Sequence, residues 1–93
     1  VLQTILNIVD FGMSPMEAVS VPRIHSEGDF VHVEARVESS QIAVLESFGH
    51  KIKKSPYSFD PMMARCHVIL KDKKNWKAGA DPRSGGGVAF ARV

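Results

Sequence analysis

Ala80-Asp81-Pro82-Arg83, followed after one serine by Gly85-Gly86-Gly87, gathers the residue types in this 93-residue chain most able to build a site. Asp81 precedes a proline and is pushed toward extended backbone, while Pro82 holds its own φ at about −65° and donates no amide hydrogen bond. Arg83 therefore leaves the turn in a restricted direction with the Asp81 carboxylate within reach. A carboxylate beside a guanidinium can bind a polar ligand or fasten backbone segments, and the surrounding chain decides between the two.

Other candidate chemistries lack parts. His25, His32, His50 and His67 are widely spread, and neither a Cys-x-x-Cys nor a His-x-x-x-His pair is present, so no metal is expected. Cys66 and His67 are neighbours, which on a strand would point to opposite faces. The glycine triplet lacks the Gly-Lys-Ser/Thr ending of a phosphate-binding loop and reads as a turn. Glu34 and Glu38 show no sign of a shared site, and His32 with Glu34 on one strand face reads as a surface pair. A nucleophile needs an activating base and oxyanion donors, and no local run of residues supplies them.

Residues 1–11 carry Val1, Leu2, Ile5, Leu6, Ile8 and Val9 at helical spacing, predicting a helix buried on a wide face and stopped by Gly12. No capping residue precedes Val1, and the chain does not begin with methionine; both suggest a piece of a larger protein. Ser14-Pro15-Met16-Glu17 is a capping box with proline at the first helical position, and its helix must end by Val21 because Pro22 follows. Residues 22–29 read as a connecting loop. Phe30–Val37 alternates, with Val31, Val33, Ala35 and Val37 inward and His32, Glu34 and Arg36 outward, as in a half-buried strand. Ser39 or Ser40 caps a helix carrying Ile42, Leu45 and Phe48 and closed by Gly49, and Ile52 falls on a short strand. His67–Leu70 and Trp76–Ala80 are strand-like around a polar Lys71–Asn75 turn, predicting a hairpin.

Composition sets outer bounds. With 44% apolar and 24% charged residues, the chain is an ordinary globular one, a single domain or part of one over residues 1–93. A net charge of +2 is too small to imply nucleic acid or a membrane surface. The clusters Lys51/Lys53/Lys54 and Lys71/Lys73/Lys74/Lys77 read as solvated strand edges or turns. No apolar run approaches the ~20 residues of a membrane span. One cysteine excludes an intrachain disulfide.

The ordered landmarks Val1-Leu2-Gln3-Thr4-Ile5-Leu6-Asn7-Ile8-Val9-Asp10, Gly12-Met13, Glu17-Ala18-Val19, Pro22-Arg23-Ile24-His25, Val33-Glu34, Leu45-Glu46, Gly49-His50-Lys51 and Ala80-Asp81-Pro82-Arg83 resemble the C-terminal part of γ-glutamyltransferases (γ-glutamyltranspeptidases). The resemblance covers nearly the whole chain, and its specificity lies in the collinear set. It implies an α+β piece of a four-layer αββα N-terminal-nucleophile hydrolase: N-terminal helices plus a small, mostly antiparallel sheet with a C-terminal hairpin. It also implies a precursor that cleaves itself into two subunits and exposes a threonine that attacks γ-glutamyl amides such as glutathione.

Carried onto this chain, the resemblance assigns no catalytic, substrate-binding or metal residue and no cofactor. Thr4 is the only threonine, lies inside a predicted helix and lacks the family's Thr-Thr-His setting. The oxyanion-stabilising Ser-Pro-Gly-Gly segment would lie upstream. Structural support remains: the first helix bracing that segment by burying Ile5, Leu6 and Val9, with Asp81, Arg83 and Arg23 tying loops together. The expected partners are the rest of the small subunit and the large subunit. Export or surface attachment is the implied localisation, with a cytoplasmic one left open. A related N-terminal-nucleophile acylase and a free-standing α+β module that binds an acidic partner through its lysines are the alternatives.

Overall fold

The structure, a computed structural model, describes residues 1–91. In chain order it has helices α1 (Leu2–Val9) and α2 (Pro15–Ser20), strands β1 (Ile24–Glu27) and β2 (Phe30–Val33), helix α3 (Ser39–Ser47), strand β3 (Lys51–Lys54), a 3-10 turn (Pro61–Met63), and strands β4 (Val68–Asp72) and β5 (Asn75–Gly79). These elements form two compact units, one from residues 1–21 and 64 onward, the other from Pro22–Met63. The α+β class is as expected.

In the first unit, α2 packs on both α1 and the β4–β5 hairpin. The capping box forms as predicted: Glu17 N–H donates to the Ser14 hydroxyl and Ser14 N–H to the Glu17 carboxylate, each at 3.2 Å. Pro15, Ala18 and Val19 are buried. Gly79 makes the contact with the hairpin possible, since a Cβ there would lie 2.6 Å from the Pro15 carbonyl carbon. β4 and β5 are antiparallel, joined by Lys73-Lys74 alone, a tighter turn than the predicted Lys71–Asn75. Gly12 closes α1 with φ at 66°, and Met13 N–H returns to the Asn7 carbonyl.

The predicted burial of α1 is reversed. Thr4 and Asn7 face inward, and Asn7 Nδ2 donates to the Ala18 carbonyl at 3.3 Å. Ile5, Leu6 and Val9 are exposed instead. Spacing showed that α1 has one apolar stripe but not what lies against it, and within this unit α2 meets the small polar stripe.

The second unit is a three-stranded sheet in the order β1-β2-β3, with β1 antiparallel and β3 parallel to β2, and α3 packed against β3. The expected 22–29 loop is in fact β1 and a two-residue Gly28-Asp29 turn, Gly28 holding φ at 78° as tight hairpins require. β2 stops at Val33, four residues earlier than the alternation suggested: the Glu34 amide makes a last bond to the Arg23 carbonyl opposite, and the next amide, of Ala35, turns away to the Tyr57 carbonyl. Val33 and Val37 are buried as predicted. α3 begins at Ser39 with Glu38 in the cap position and no side-chain cap bond, so neither serine caps it. Gly49 ends it at φ 94°. Lys51, Lys53 and Lys54 lie on the edge strand β3, where charge discourages further strand pairing.

Candidate functional site

Two carboxylates exposed by 1% or less organise the chain, one in each unit. Asp81 is 1% exposed and accepts from Cys66 N–H at 2.7 Å, Arg83 N–H at 2.9 Å and the Arg83 guanidinium at 3.1 Å. Its own N–H donates to His67 Nδ1 at 3.1 Å. Proline at 82 explains the geometry, because it turns the chain so that an aspartate can bond the amide two residues on. The Arg83 guanidinium, fully buried, donates onward to the Val19 carbonyl at 2.6 Å and the Val21 carbonyl at 3.0 Å. These carbonyls belong to the C-terminal end of α2, which carries partial negative charge. Asp81 and Arg83 thus tie the start of β4, the end of β5 and the exit of α2 into one knot. The neighbouring Ser84 hydroxyl is buried without a hydrogen-bond partner.

Glu34 is the counterpart in the second unit, and sequence reasoning misplaced it. Its assignment to an exposed strand face beside His32 is corrected: the side chain is 0% exposed. It accepts from Arg23 N–H and Asp60 N–H, both at 2.7 Å, with the Arg36 guanidinium 3.8 Å away. Because β2 ends at Val33, the inward-outward alternation no longer applies one residue later. Arg23, the third expected support residue, is buried and donates to the Met63 carbonyl at 3.4 Å. Asp60 Oδ1 in turn accepts from Met62 N–H at 2.9 Å. Arg23, Glu34 and Asp60 therefore hold the 3-10 turn Pro61–Met63 against the strands. No local signal marks Glu34, because the Asp60 amide that it accepts from lies 26 residues away.

Of the remaining candidates, His25 and His32 meet the second knot only at an open cavity shared with Asp60. His25 and His32 are paired across β1 and β2, and His25 Nε2 lies 3.4 Å from Glu27 Oε1. They line an open cavity of about 320 Å³ with Asp60, Met62 and Met63. Among the described residues, no three His, Cys, Asp or Glu side chains are grouped to hold a metal ion. Gly85–Gly87 is an irregular exposed segment, with Gly86 against the His67 ring. Thr4 is 2% exposed within α1, where its amide is part of the main chain rather than a free amine. No described helix is long and apolar enough to cross a membrane.

The chain therefore presents an α+β framework with knotted loops. Comparison with known proteins supplies the class. The family model described as Gamma-glutamyltranspeptidase matches residues 1–91, and the chain belongs to that family. It is 40% identical to the Acylase ACY 1 proenzyme of Pseudomonas sp. strain V22, over 97% of this chain and 17% of that protein. It is 32% identical to the Glutathione hydrolase-like YwrD proenzyme of Bacillus subtilis strain 168, over 88% of this chain and 17% of that protein. The crystal structure of cephalosporin acylase from Bacillus halodurans superposes with a TM-score of 0.87 at 28% identity, covering 99% of this chain and 17% of that one. The fold is thus a piece of the N-terminal-nucleophile hydrolase architecture, as the landmarks implied. The chain spans about a sixth of the length of the curated relatives it matches.

Proposed function

We propose that this chain is the C-terminal part of the small subunit of a self-cleaving amide hydrolase or acyltransferase, and that its role is to brace a site whose reacting groups lie elsewhere in the parent. The supporting observation is the combination of a family match over residues 1–91 with a lone threonine sealed inside α1. In this reading an N-terminal threonine of the parent attacks the carbonyl of a γ-glutamyl amide such as glutathione. The threonine proton passes through its own amine to the departing amine, and water or a second amine then takes the acyl group. Asp81, Arg83 and Arg23 fix loops on the bracing side and touch no reacting atom. The rest of the small subunit and the large subunit are its partners.

The test uses the whole parent polypeptide. Mass spectrometry should show a precursor splitting into two chains, the second beginning with threonine, and the product should release aniline from a γ-glutamyl anilide. Turnover of a cephalosporin side-chain amide in place of the anilide would move the substrate within the same chemistry. An uncleaved precursor inert to both substrates would overturn the proposal.

A further inference from the structure

His25 and His32 stand directly opposite each other on the antiparallel strands β1 and β2. Side chains in that relation share a sheet face, with Cβ atoms about 4.5–5.5 Å apart. Glu27, two residues along β1 from His25, falls on the same face, and its Oε1 lies 3.4 Å from His25 Nε2. Lys53 is the partner of His32 on β3, but its ammonium sits 4.3 Å from the centre of the Phe30 ring. Both histidines, Glu27 and Met62 line one cavity of about 320 Å³.

We propose that His25 and His32 form a capture site for a late first-row divalent cation, Cu²⁺ ahead of Ni²⁺ and Zn²⁺, with water completing its coordination. Imidazole nitrogens suit these ions, and Cu²⁺ heads their affinity order. Ca²⁺ and Mg²⁺ call for oxygen ligands and are poorly served here. The Glu27 carboxylate adds negative charge beside the ion. Two protein ligands are fewer than the closed set of a structural site, and the positions left to water mark an exchangeable ion. Side-chain exposures of 48% for His25 and 85% for Glu27 leave an entry path and room for the groups to turn toward the ion. Ligation joins β1 to β2 two residues from Arg23 and from Glu34, and so stiffens the hairpin that carries the second knot.

The full-length parent, freed of any affinity tag, is titrated with Cu²⁺ by calorimetry beside His25→Gln, His32→Gln and the double variant. The unsubstituted protein should bind one more equivalent of Cu²⁺ than the double variant, and each single change should remove that equivalent. Electron paramagnetic resonance of the difference between the two should show coupling to two nitrogens. Melts without metal establish that the variants are folded, and His25→Gln, at an exposed position, keeps the comparison open if His32→Gln unfolds. Equal stoichiometry in the unsubstituted protein and a folded variant would overturn the proposal, as would a Cu²⁺ spectrum that the substitutions leave unaltered. Bound ion and not turnover is read, so the outcome is independent of whether the parent cleaves itself or acts on a γ-glutamyl amide.

Discussion

At the scale of single residues, the chain shows how one buried carboxylate can organise backbone far apart in sequence. Asp81 and Arg83 hold each other at 3.1 Å without exposure to water. Removing one partner of such a pair leaves an uncompensated buried charge, a loss of ~3–5 kcal/mol. Arg83→Ala should therefore lower the melting temperature of the parent sharply, and Arg83→Lys should recover little, because one ammonium cannot reach the Asp81 carboxylate and two α2 carbonyls together. Once folded at low temperature, either variant should keep a near-normal kcat. Thermal melts beside steady-state kinetics check this, and a lost kcat with an unchanged melt would place Arg83 in the chemistry. This knot was readable from Asp-Pro-Arg, since proline restricts the turn. Glu34 was not, because its burial depends on β2 ending one residue before it and on Asp60, 26 residues away, arriving as a donor.

At the scale of elements, local chemistry was legible wherever a segment carries its own instructions. Ser14 and Glu17 specify the start of α2, and the β4–β5 hairpin follows from alternation around a polar turn. The Gly28-Asp29 hairpin has only its turn pair as a local signal, because β1, Ile-His-Ser-Glu, carries no apolar alternation. What faces what was less legible. Gly79 shows why: its role appears only when α2 lies across the hairpin. Gly79→Ala would place a methyl against rigid Pro15 backbone, and overpacking of this kind costs ~1–3 kcal/mol. Denaturant melts should show that loss with little change in slope, and an unchanged midpoint would mean that α2 yields easily.

At the scale of the whole molecule, family membership over residues 1–91 and the buried Thr4 support the same reading. The isolated chain should release no aniline from a γ-glutamyl anilide, since Thr4 offers neither an exposed hydroxyl nor a terminal amine. Turnover that copurifies with the chain and disappears with Thr4→Ala would refute this. The division into two units has a further consequence, for the order of assembly. Pro22–Met63 is one unbroken stretch lying within the sequence of the first unit. During synthesis it leaves the ribosome whole, with all of its strand partners in hand, while α1 and α2 still lack their hairpin. Arg83 then reaches back to Val19 across 64 residues of chain. Loop closure grows only by ~0.6 kcal/mol per doubling of length, so the delay is set by translation more than by entropy. Until that last turn is made, water stands in for the guanidinium at the carbonyls that end α2, so this knot is expected to close late.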